Sequence, residues 1–305
     1  MVYEYAVEPE VVAAWGKTRD NFRYFIDKFG LGHPRMMSEY PGHSRWRKKF
    51  KEALSLIDDD SERKRIEELF RRLEEIKIKR YFKYDGKLSW LQNAEREHTI
   101  RCPFHAILAE DNPRKRVGVF KSSELTPDLP EWNPEKMVTV ERKAEIMAEA
   151  VSPMLSNCSE AIFIDPHFGP KNRRHRLPIK AFLRELVNHR CGPSPIKIEV
   201  HTSDKATPDH FRRECRNQME PLIPRGMTVC FKQWKEKQGD RHEKLHNRYI
   251  LTNIGSVMFL VGLDQGKGSD TVTLLERKIH ELIWKQYVSN PAFDLVDSIE
   301  IKGTV

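Results

Sequence analysis

Apolar positions recur at three- and four-residue steps near the start of the chain. Val11, Val12, Trp15, Phe22, Phe25, Ile26 and Phe29 share one face, Pro9 suits a first turn and Gly30 a stop, so the pattern predicts a helix over residues 9–29. The run GLGHPRMMSEYPGHS that follows reads as loop. A second, basic helix is predicted from Trp46 to Ile57. A third follows Asp60 or Ser61, with Ile66, Leu69, Phe70, Leu73 and Ile76 on its apolar face and Glu67 and Glu68 four residues ahead of Arg71 and Arg72. Two apolar runs around a turn rich in Asp, Asn and Pro predict a hairpin over 104–120. The stretch 122–136 carries Pro127, Pro130 and Pro134 with few apolar residues and reads as a linker.

The pattern then changes. A helix is predicted near 139–155, and EAIFID reads as a buried strand ending at Asp165. A helix starting near Pro178 comes next, then PIKIEVHTS as a strand and a helix opened by Thr207 and Pro208. MTVCFKQW, LHNRYILTN, VMFLVGLD and TVTLL read as strands, and ERKIHELIWKQYV as a late helix. Strands alternating with helices predict an α/β chain: a mainly helical domain with a hairpin over 1–121, the linker 122–136, and an α/β/α sandwich with a mixed sheet over 137–305.

Length and composition narrow this picture a little. A chain of 305 residues with 39% hydrophobic positions suffices for two ordinary domains. The net charge of +8 admits nucleic acid, an anionic membrane surface or an acidic protein as partner and does not choose among them. No apolar run reaches the length of a membrane span, and the acidic start MVYEYAVEPEVVAAW lacks the form of a signal peptide. Cys102, Cys158, Cys191, Cys215 and Cys230 are odd in number and widely scattered, which predicts free thiols and a cytoplasmic location. Cys102 and His105 have ligand spacing but no second pair, so no structural zinc is expected.

The candidate chemistry lies in RHEKLHNRYILTNIGSVMFLVGLD, residues 241–264. It holds a histidine followed two residues later by a cation twice: His242 with Lys244, and His246 with Arg248. If LHNRYILTN is one strand, His246 and Arg248 point to the same side. A histidine can attack phosphorus or protonate a leaving oxygen, and a guanidinium can grip phosphoryl oxygens bidentately. The polar residues Gln238, Gly239 and Asp240 place His242 and Lys244 in a loop, as an electropositive approach to the site.

His246-x-Arg248-x-x-x-x-Asn253, followed by Gly262 to Asp264, resembles the His-x-Lys-x-x-x-x-Asp motif of the phospholipase D superfamily. His246 matches the histidine, Arg248 falls on the lysine position and Asn253 on the acid position. The resemblance covers roughly residues 138–290, and AIFIDPHF at 161–168 resembles the opening strand of modules that carry one motif copy. It implies a phospholipase-D-like fold and a phosphodiester hydrolase with catalytic His246, Arg248 and Asn253. Asp165, His167 and Asp264 are supporting candidates, with Asp165 or Asp264 able to replace the missing carboxylate. It also implies chemistry without a metal or cofactor. Two histidines work together in that family, so one motif copy implies a homodimer with a composite site on its twofold axis.

Residues 171–190 carry seven Lys/Arg and one Glu, after the first strand of the second domain. Lys171, Arg173, Arg174 and Arg176 are therefore expected to form a phosphate-backbone track. With no membrane anchor evident, the expected substrate is nucleic acid, DNA first, and the expected activity an endonuclease that resists EDTA. The domain combination resembles bacterial anti-phage defence proteins, which implies a helicase or ATPase partner. The alternative is a module without turnover that binds nucleic acid or a protein as a scaffold, the reading Asn253 favours.

Overall fold

The computed structural model describes residues 1–75, 77–238 and 243–304. The chain divides into two units, Val2–Glu135 with Cys191–Pro193, and Lys136–Arg190 with Ser194–Val305 and Met1.

The first unit is built around a five-stranded sheet. Its strands are β1 (Tyr3–Val7), β2 (Arg35–Ser38), β3 (Lys77–Ile78), β4 (Ala106–Ala109) and β5 (Val119–Lys121), in the order β3-β2-β1-β4-β5. All pairings are parallel. Helices still supply most of its ordered residues: α1 (Pro9–Lys17), α2 (Arg19–Phe25), α3 (His43–Ser55), α4 (Asp60–Glu75) and α5 (Trp90–Arg96). The sheet, however, organises them, so the expectation of a helical domain with one hairpin is corrected. Ile107 pairs with Val119 and Ala109 with Lys121 in the same direction, which no hairpin permits. The strands are short and buried on both faces, so they lack the alternation that marks a half-exposed strand.

Two local departures have clear causes. The predicted helix over 9–29 breaks at Thr18, whose extended backbone and hydroxyl, accepting Asn21 N–H at 3.1 Å, start α2 afresh. The expected linker packs into the core of this unit instead: Trp132 is buried, its Nε1–H donates to the Tyr24 hydroxyl at 3.0 Å, and Leu125 joins it. The expectation of five free thiols is also corrected. Cys102 and Cys191, 89 residues apart, are joined as a disulfide with a Cα separation of 6.0 Å, and Cys158, Cys215 and Cys230 remain free.

The second unit holds an eight-stranded mixed sheet. Its elements are β6 (Met137–Glu141), α6 (Ala144–Leu155), β7 (Glu160–Ile164), α7 (Arg173–Glu185), β8 (Lys197–Ser203), α8 (Pro208–Met219), β9 (Thr228–Lys235), β10 (Arg248–Thr252), β11 (Gly255–Phe259), β12 (Ser269–Leu274), α9 (Arg277–Trp284) and β13 (Asp294–Lys302). The order is β13-β9-β8-β7-β10-β11-β12-β6. β7, β8 and β9 are parallel, and every other pairing is antiparallel. Sequence pattern alone missed β6 and β13, the two edges.

Alternation along β7 assigns the helices to the two faces. Phe163 stacks on Phe182 of α7 at 5.6 Å, while Ile162 and Ile164 pack with Ile283 of α9 and Tyr287 beyond it. The chain is thus mixed α/β, with one parallel and one mixed sheet. No helix among the described residues is long and apolar enough to cross a membrane.

Candidate phosphate site at the end of the central strands

The central strands deliver three loops to one end of the mixed sheet. β7 runs into Asp165, β8 into Asp204 and Lys205, and antiparallel β10 starts there at Arg248, since Tyr249 pairs with Ile164. Loops beyond the carboxyl ends of parallel strands are where α/β sheets receive ligands.

Buried carboxylates shape this end. Asp165 accepts the His167 N–H at 2.8 Å through one oxygen and the Leu263 N–H at 3.1 Å through the other. It therefore ties the loop after β7 to the segment 261–264. Asp270 accepts the Val261 and Gly262 N–H groups at 2.9 and 3.1 Å from the other side. Gly262 is required there, because a Cβ would run into the Asp264 carboxylate. Asp264 itself is clamped between Arg142 at 2.7 Å and Arg174 at 2.8 Å.

The second clamp depends on a proline. α7 starts at Arg173, five residues before Pro178, because Asn172 caps it by accepting Arg174 N–H at 3.2 Å. Pro178 has no N–H to offer the carbonyl one turn back. That carbonyl, on Arg174, accepts the Gln265 N–H at 2.9 Å instead. Arg174 thus holds residues 264–265 through side chain and backbone together.

His167 and Lys205 lie at the surface of this frame, Arg248 is half-buried in it and His175 is buried. His167 is exposed, and its Nδ1 accepts from the Lys205 ammonium at 2.5 Å. Burial depresses the His167 pKa, Lys205 and Arg248 push it further down, and Asp165 and Asp264 oppose them. The neutral ring therefore carries its proton on Nε2. Arg248 is half-buried, and its Nε is fully covered without a hydrogen-bond partner among the described residues. His175 repeats the theme: Nδ1 accepts the Gly169 N–H at 2.9 Å, while Nε2 is buried without such a partner. Its pKa is lowered by burial against the pull of Asp165 and Asp264. Two covered donors in this cluster thus lack acceptors among the described residues, as do the indole N–H groups of Trp15, Trp90 and Trp234 elsewhere in the chain.

The motif residues separate. Arg248 belongs to the cluster with Asp165, His167 and Asp264. His246 does not lie on β10 as expected: the strand starts at Arg248, and His246 is an exposed residue before it, with no hydrogen bond or ion pair among the described residues. The reason lies one position earlier. Leu245 is buried in the core, and its N–H goes to the Glu236 carboxylate at 2.8 Å rather than to a neighbouring strand. Lys244 is held by the same carboxylate at 3.2 Å. His242 lies outside the described residues.

Asn253 lies at the far end of β10, roughly 15 Å along the strand from Arg248. Its side-chain oxygen accepts the Ser159 and Glu160 N–H groups at 2.7 and 3.1 Å, just before and at the start of β7. The expected catalytic role for Asn253 is therefore corrected to a backbone-fastening one. In the basic run, Lys171 and Arg173 are exposed without side-chain partners among the described residues, Arg174 is spent on Asp264, and Arg176 is half-buried.

Lys205, Arg142, His175 and Asp270 were not singled out in the sequence. Lys205 was within reach, since it follows β8 as His167 follows β7. The other three have no local signature. No metal-binding group of His, Cys, Asp and Glu occurs among the described residues. No family model matches the chain, and no curated protein matches it.

Proposed function

We propose that the second unit binds a phosphodiester of nucleic acid at this end of the sheet and hydrolyses it without a metal ion, in the manner of the phospholipase D superfamily its motif resembles. The observation that carries the reading is Arg248. It is a guanidinium whose Nε has no hydrogen-bond partner among the described residues, and the pairing of Tyr249 with Ile164 sets it across from Asp165 at the carboxyl end of β7. A phosphate oxygen is the acceptor that such a donor lacks. Lys171 and Arg173 extend positive charge from the start of α7 and suit a phosphate backbone.

In this reading His246, in the exposed segment leading into β10, is the nucleophile, a role taken from the resemblance. Its ring nitrogen bonds to phosphorus as the bond to the leaving oxygen breaks, and a second proton-bearing group supplies that oxygen with its proton. Water then displaces the histidine and restores the ring. Arg248 stabilises the charge on the non-bridging oxygens. The defining experiment is incubation of plasmid and single-stranded DNA with the full chain in EDTA, beside His246→Ala. Cleavage lost in the variant with DNA binding retained is the expected result. Equal nicking by both proteins, or none by either, overturns the hydrolytic reading.

A second reading keeps binding without turnover. The observation favouring it is that His246 has no orienting carboxylate among the described residues. Retained DNA affinity with no cleavage under any condition is its signature.

A further inference from the structure

The resemblance implies that a second histidine comes from a second subunit. The geometry supplies a different candidate within the same chain. His167 is exposed, yet its loop is firmly held. Asp165 accepts its N–H, Thr202 donates to the Phe168 carbonyl at 2.9 Å, and Ser203 donates to the Pro166 carbonyl at 2.6 Å. Lys205 then fixes the ring by donating to Nδ1. An imidazole held in this way presents one group outward, the Nε2–H donor.

We propose that His167, Lys205 and Arg248 form a phosphate-binding subsite complete within one chain, in which Nε2–H of His167 and the terminal Nη groups of Arg248 donate to oxygens of one phosphate. Three features support it. The pairing of Tyr249 with Ile164 sets Arg248 across from Asp165, two residues before His167, and the charge of Arg248 lowers the pKa of that ring. No hydrogen bond holds the Arg248 guanidinium among the described residues, and of its nitrogens only Nε is covered. The local carboxylates are already committed elsewhere, Asp165 to backbone N–H groups and Asp264 to Arg142 and Arg174. They fix the frame, and no ion pair to Lys205 or Arg248 occurs among the described residues. The ligand class rests on the phosphodiester reading above, but the subsite requires neither turnover nor a dimer.

The test uses the full chain at concentrations where sedimentation shows a monomer. Inorganic phosphate is titrated while the histidine ring resonances are followed by NMR. Binding by the monomer, with the His167 resonance shifting, is expected. His167→Ala and Arg248→Ala should each weaken it about tenfold, the worth of one charge-assisted bond. His167→Gln, which keeps a donor, should recover part of the loss, and Lys205→Ala should weaken binding by freeing the ring. His167→Ala leaves the backbone N–H that Asp165 uses, so the loop survives the substitution, and unchanged thermal melts verify this. Unaltered phosphate affinity in His167→Ala, or binding only in a dimer, overturns the proposal. Phosphate binding that follows this pattern while DNA is never cleaved leaves the subsite standing and removes only the hydrolytic reading. Absence of phosphate binding at millimolar concentration removes the subsite.

Discussion

The side-chain oxygen of Asn253 accepts the Ser159 N–H at 2.7 Å, at the opposite end of β10 from Arg248. An acid at position 253 would sit beside the start of β7 and far from any phosphate bound at Arg248. Asn253→Asp should therefore preserve the fastening and leave nucleic-acid affinity and any cleavage within about threefold. Asn253→Ala should destabilise the unit by ~1–3 kcal/mol, because two backbone donors lose their acceptor. Chemical denaturation of the two variants checks this, and a large gain of cleavage in Asn253→Asp would overturn the fastening role.

The basic run should divide by function. Lys171→Ala with Arg173→Ala should flatten the dependence of log DNA affinity on log salt by roughly 2, about one unit per lost phosphate contact. Arg174→Ala should change that slope little and lower the melting temperature instead, since it releases the Asp264 carboxylate. Binding isotherms at several salt concentrations separate the two. Equal slopes for the double variant and the parent chain would remove the track.

Glu199 provides a pH dependence. Burial opposes its ionisation, but the bonds from His201 Nε2 and Lys232 Nζ, both 2.7 Å, outweigh that and hold the carboxyl at about 2. A carboxyl depressed below its unfolded value of about 4.3 stabilises the fold above that pH, and the contribution fades as pH falls towards the folded value. Glu199→Gln should therefore melt lower than the parent at pH 7, with the gap narrowing between about pH 4.5 and 2. His201, kept neutral by burial, acts in the same direction, because acid must charge it in place. A gap that is constant across this range would show that Glu199 acts through packing alone.

Thiol counting tests the cysteine assignment. The denatured chain should titrate as three thiols, Cys158, Cys215 and Cys230, and as five after reduction. Five thiols before reduction would refute the Cys102–Cys191 pairing.

Much of the second unit was legible because its strands differ in pattern from its helices. The strand ending at Asp165 and the helix opened by Thr207 and Pro208 are marked by local residues alone. The start of β10 was not legible, because Leu245 satisfies its apolar character in the core while its N–H serves Glu236. A strand pattern records where side chains go and is silent about which backbone groups pair. The parallel sheet of the first unit was obscured for a related reason: β2, with all four residues buried, lies in a stretch whose Gly and Pro content signals loop. Within the site, Arg248 and Asp165 were found by motif and position. Lys205 acts through a partner 38 residues away, a relationship that exists only after folding.

Arg142 follows directly on β6, which among the described residues pairs with β12, Met137 lying opposite Thr273. It accepts the Gly266 N–H through its carbonyl and holds Asp264 through its guanidinium. The frame of the site thus closes only when the earliest strand of the unit meets one of its latest. Such distant pairings form late and slowly. A nascent chain that has not yet reached β12 already holds the His167 loop but lacks the Asp270 bonds to Val261 and Gly262 and the strand partner of β6. The clamp on Asp264 is therefore the last part of the frame to form, at the completion of the sheet.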